Sequence, residues 1–170
     1  MPRFALVGGI TLRGLTLVTT KPGREETGEI EVLDCLLRYD STVEVRRTEF
    51  AGVLLVETAL SPQSASDLLR KFEMTAILKV VPFDMCIKTD IKDIVAAVVQ
   101  LATGLVDPSS TFAVACTRRG RFIGSSVEVE KIVGEALAKA SGAKVDLGNP
   151  RFLIRIEIVG EVTGVTLERK

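Results

Sequence analysis

Histidine and tryptophan are both missing from the 170 residues. Without histidine the chain has neither the commonest general base nor the commonest metal ligand. A Ser, Thr or Cys nucleophile would have to be activated by Asp, Glu or Lys. Cysteine is scarce: Cys35, Cys86 and Cys116 lie far apart, each in an apolar setting. Their spacing fits no zinc or redox motif and suits buried free thiols in a reducing compartment. Cys116 could serve as a nucleophile only if Arg118, two residues on and on the same strand face, lowered its pKa. Phosphate loops are also missing. Gly8, Gly9 and Gly14 do not make GxGxxG, and no GxxxxGK stretch followed by Ser or Thr occurs. The most apolar run, residues 91–106, is broken by Asp93, Gln100 and Gly104 and is too short to cross a bilayer. Residues 1–17 lack a signal-peptide cleavage pattern. These absences predict a soluble, cytoplasmic chain with no catalytic residue, no metal, no cofactor and no membrane association.

The chain has no excess of charge either. The 22 Lys and Arg balance 22 Asp and Glu, so any polyanion site must be local. One local cluster stands out. After the apolar strand 112–116 come Arg118, Arg119 and Arg121, three cations within four residues. Ser125 and Glu128 then fit a capping box that opens an amphipathic helix, which ends at Gly142. Cations where a strand hands over to a helix N-terminus suit an anion, and for a long anion a nucleic-acid backbone. Phe122 beside them is a candidate stacking residue or a lid on the core. Lys144 and Arg151 extend the patch if the segment 144–151 folds beside the first loop. Lys21 and Arg24 form a smaller cationic turn around Pro22 and Gly23. The ordinary alternative for the arginines is a solvated basic turn.

Periodicity supplies the fold. Residues 15–20, 43–48, 53–58 and 76–81 read as strands, and 24–39 and 62–71 as helices, the second capped by Ser61 with Pro62 at its first position. In the first helix Ile30, Leu33, Leu36 and Leu37 share one face. The order strand, helix, strand, strand, helix, strand is the split βαβ, or ferredoxin-like, pattern. Residues 83–88 read as a linker or short pairing segment. A second set follows: a very apolar helix over 90–103 capped by Thr89, the strand 112–116, the helix after Ser125, and a strand pair at 152–158 and 162–167. The expected class is therefore α/β (α+β), in two domains, 1–87 and 88–170. Residues 4–7 are either an added strand or a loosely held leader.

Phe112-x-Val114 with Arg118 and Gly120, then Ser126-x-Glu128, Val133-Gly134, and Lys144-Val145-Asp146-Leu147 with Asn149-Pro150, resembles a THUMP domain. The resemblance spans about residues 88–170 and implies an N-terminal ferredoxin-like domain before it. The opening Leu17 to Glu25 is similar to the stand-alone adaptor branch of that family. That branch implies a non-catalytic tRNA-binding adaptor that presents tRNA, not DNA, to a separate RNA acetyltransferase forming N4-acetylcytidine. The resemblance also implies RNA-binding roles for Arg118, Arg119, Arg121, Lys144 and Arg151. The alternatives are an RNA-binding subunit of another tRNA-modifying enzyme, such as a thiouridine synthase, or a small-metabolite sensor with a ferredoxin-like fold.

Overall fold

The computed structural model describes residues 14–170, together with the two-residue strands β1 (Leu6–Val7) and β2 (Ile10–Thr11), which pair with each other. Of the candidate strand 4–7, residues 4 and 5 lie outside the described residues. From residue 14 onward the chain divides between Phe83 and Asp84 into two compact units, each with its own sheet.

The first unit runs β3 (Gly14–Thr20), α1 (Glu25–Leu36), β4 (Glu44–Arg47), β5 (Val53–Thr58), α2 (Pro62–Lys71) and β6 (Ile77–Pro82). Its antiparallel sheet has the order β4-β5-β3-β6. Val18, Leu54 and Val56 of the sheet pack with Val32, Leu36, Ala65 and Leu69 of the two helices. Full burial of each valine or leucine among them contributes about 1.5–3 kcal/mol. The buried residues of α1 are Gly28, Val32, Cys35 and Leu36, whereas Ile30 and Leu37 are about half exposed. The helix is therefore rotated from the face its large residues suggested. Gly28 explains the rotation: a Cβ there would lie 2.5 Å from Thr20 Cγ2, so the missing side chain brings that face close against the sheet.

The second unit runs β7 (Met85–Lys88), α3 (Ile91–Ala102), β8 (Thr111–Arg119), α4 (Ser126–Ser141), β9 (Lys144–Val145), β10 (Phe152–Val159) and β11 (Val162–Arg169). Its sheet order is β7-β11-β10-β8-β9. Of the two readings of 83–88, the short pairing segment is the one found, because Met85–Lys88 pair with Val162–Val165. By compactness the chain divides at 83/84, a few residues before the expected 87/88. Strands β8 and β10 are parallel neighbours, and both helices pack over Phe112, Phe152, Ile154, Ile156 and Ile158. Asp90, not Thr89, caps α3, accepting from the N–H groups of Lys92 and Asp93. Thr89 is buried, its hydroxyl 2.8 Å from that of Thr163.

Asp40 knots the first unit together. Its carboxylate accepts from the Thr42 N–H and hydroxyl, the Thr58 hydroxyl and the Ala59 N–H, at 2.6–2.9 Å. These donors hold its pKa far below the ordinary Asp value. A depressed carboxylate stabilises the fold above its unfolded pKa, and that contribution is lost as pH falls through the folded value. Stability should therefore decline below about pH 4. In Asp40→Asn, urea unfolding should give lower stability at neutral pH and a shallower decline in acid. An unchanged acid limb would assign the decline elsewhere.

Candidate nucleic-acid interface

Strand β8 extends three residues beyond the apolar run that announced it, pairing with β10 as far as Arg119 opposite Val159. That length decides where the cations go, because successive side chains on a strand leave on opposite faces. Arg118 shares the parity of Cys116 and Phe112. Its Nη1 donates to the Gly120 carbonyl at 2.8 Å and the Ile123 carbonyl at 3.1 Å. Arg119 leaves on the other face. Its Nη1 lies 2.8 Å from Oε2 of Glu157, a fully buried carboxylate on β10. Arg121 lies beyond the strand end, exposed. The chain turns at Gly120, whose φ of 96° is in the left-handed region that excludes most side chains. Phe122 is 62% exposed, so it is no lid on the core. Ile123 returns to pack against the core. Ser125 then caps α4, its hydroxyl accepting from the Glu128 N–H.

The three arginines therefore have three different environments and form no common ridge. Nor do Lys144 and Arg151 extend the cluster. Lys144 pairs with Thr111, and the Arg151 N–H donates to the Thr111 hydroxyl. Both sit at the start of β8, roughly 26 Å from Arg119 at about 3.3 Å per residue. The patch imagined from sequence is two cationic ends of one strand. Lys21 and Arg24 flank a turn in the first unit, closed by the Arg24 N–H on the Lys21 carbonyl at 3.0 Å, and both side chains are exposed.

Cys116 is not poised for attack. Burial, followed by the nearby Glu130 and Glu157 carboxylates, pushes its thiol up to about 12, and Arg118 only partly offsets this. Its backbone N–H donates to Glu130 Oε1 at 2.8 Å, which ties α4 to β8. Among the described residues no group of three or more Cys, Asp or Glu could hold a metal ion. No helix among them is long and apolar enough to cross a membrane. An open groove of about 410 Å³ lies beside α4, lined by Val114, Val127, Gly134, Val145 and Leu147 among others. The sequence reading missed it. Val145 and Leu147 are exposed by 53% and 81%, and only their alternation with polar neighbours hinted at this.

Residues 88–168 match the family model for the THUMP domain. The chain contains a THUMP domain. Beyond that domain, the chain is 30% identical over 161 residues to a protein of Methanocaldococcus jannaschii named "Probable tRNA sulfurtransferase", covering 92% of this chain and 42% of that protein. Relatives in Vibrio species are named "tRNA sulfurtransferase", and one in Malacoplasma penetrans "Probable tRNA sulfurtransferase". Among solved structures, PH1313 from Pyrococcus horikoshii superposes with a TM-score of 0.71 at 20% identity, over 92% of this chain and 54% of that one. A 4-thiouridine synthetase solved with RNA and ATP superposes with a TM-score of 0.60 at 16% identity, over 92% of this chain and 42% of that one. These two likenesses show a shared α/β fold with separate open sheets. The chain spans about half or less of the length of each of these proteins.

The Arg119–Glu157 pair should be visible as stability. Arg119→Met should lower the urea unfolding free energy by about 2 kcal/mol, because it removes a charged partner from a buried carboxylate. Arg121→Ala should stay within about 0.5 kcal/mol of the parent, as an exposed substitution does. Equal losses in the two variants would contradict the division of roles.

Proposed function

We propose that this chain is the tRNA-binding part of a tRNA-modifying system of the sulfurtransferase type, presenting RNA to catalytic residues that lie outside these 170 residues. The observation that carries the reading is the 30% identity across 92% of the chain to the M. jannaschii protein named "Probable tRNA sulfurtransferase". The sequence resemblance pointed first to an adaptor for cytidine acetylation, with a separate acetyltransferase as partner. The relatives favour thiouridine chemistry instead, since most are named tRNA sulfurtransferases. The 4-thiouridine synthetase that shares this fold was solved with RNA bound.

The site fits a binding role. It offers exposed cations and an exposed aromatic, and its only thiol is held protonated. Phosphate contacts position RNA without reading its sequence, so discrimination must come from RNA shape. The first unit, with strands in the order β4-β5-β3-β6 and two helices packed on one face, we read as ferredoxin-like. The setting we propose is the cytoplasm.

The test is tRNA binding measured by anisotropy across a salt series, with a DNA hairpin as competitor. Binding should weaken with salt, log K falling by about 0.7–0.9 per phosphate contact per decade of salt, and tRNA should win over DNA. The chain alone should leave unmodified tRNA unchanged when sulfur donor and ATP are supplied. Failure to bind tRNA at low salt would overturn the reading. Thiolated product from the chain alone would overturn the non-catalytic part of it.

A further inference from the structure

The β8–α4 connection is built to hold two side chains out into solvent. Its centre is Arg121 and Phe122, both exposed. The Arg118 guanidinium grips the chain on either side of them through the carbonyls of Gly120 and Ile123. Ile123, packed against the core, fixes the far side, and the left-handed Gly120 fixes the near side. A phenylalanine left 62% exposed forfeits most of the burial it would have in a core. Here it is fixed in a braced turn rather than folded inward. A cation beside an aromatic ring matches the two parts of a nucleotide, phosphate and base. The neighbouring start of α4 is a poorer anion seat, because Glu128 stands in its first turn.

Resting on the RNA-binding reading above, we infer that Arg121 and Phe122 are the nucleotide-contacting pair, Arg121 on a backbone phosphate and Phe122 stacked on an adjoining unpaired base. Arg118 is the positioning residue that holds their turn in shape. Arg119, paired with Glu157 on the opposite face, makes no phosphate contact. A base inside a duplex already stacks on its neighbours, so Phe122 selects RNA with an unpaired stretch.

Two RNA hairpins test this, one with a short unpaired extension at its open end and one blunt. The parent should prefer the extended hairpin. Phe122→Ala should weaken binding of the extended hairpin by about 5-fold or more, the smallest effect expected for losing one base–aromatic stack. It should leave the blunt hairpin and the salt slope unchanged, and Phe122→Tyr should retain the preference. Arg121→Ala should weaken both hairpins and reduce the slope by about 0.7–0.9. Arg118→Met should abolish the preference with the slope intact, and adding Phe122→Ala to it should change little further, as expected for residues acting as a unit. Far-UV circular dichroism confirms that each variant is folded. If Phe122→Ala keeps the parent's preference, the stacking assignment is overturned while RNA binding stands. If Arg118→Met reduces the slope as Arg121→Ala does, Arg118 is a phosphate contact and its positioning role is overturned. If the parent binds neither hairpin nor tRNA, the RNA-binding reading itself falls and this inference falls with it.

Discussion

The backbone pairing of β8 with β10 is the constraint on which the rest of the second unit depends. It keeps β8 extended to Arg119, opposite Val159, and so enforces alternation on the first two arginines of the cluster. One face sends Arg118 to the carbonyls of the following turn, and the other sends Arg119 to Glu157. Only after the pairing ends can a cation leave the sheet. The parallel sense of the two strands also fixes where the segment 144–151 lands, since β9 joins β8 at Thr111 and β10 starts opposite Phe112. A local run of positive charge is therefore divided among structural and exposed roles by strand geometry alone.

This division suits a chain with no net charge. A neutral molecule gains little long-range steering toward a polyanion, so under the proposed RNA-binding role affinity would come from a few placed contacts. Pre-forming those contacts limits the ordering cost on binding. The Arg118 brace is such pre-organisation, and Glu157 fixes the strand end from which the turn departs. Behind the turn, the Cys116 thiol is pushed up to about 12 and its backbone is tied to Glu130.

Much of the element order was legible because local chemistry dictated it. Ser61 before Pro62, Ser125 before α4 and Gly142 after it all act as read, the last in the left-handed conformation. What escaped reading depended on partners distant in sequence. The sequence keeps Arg118 on the strand face of Cys116, but how far β8 runs past its apolar core is set by β10, about 40 residues later in the chain, which carries the pairing to Arg119. Of the face expected for α1, Leu36 is buried but Ile30 and Leu37 are not, because the close approach of the helix to the sheet is made at Gly28, which has no side chain to announce it. Lys144 and Arg151 were placed beside the arginines because sequence does not reveal which end of a parallel strand a crossover returns to. Thr89 and Asp90 are both good caps, and only the buried Thr163 hydroxyl settles which one serves.

The central claim is that RNA meets this chain at the turn between β8 and α4. Hydrogen–deuterium exchange with and without saturating unmodified tRNA tests it most directly, because both ends of β8 report in one experiment. Slowed exchange should concentrate at residues 120–124, with residues 144–151 unchanged. Slowed exchange confined to 144–151, with 120–124 exchanging as in the free chain, would contradict the account.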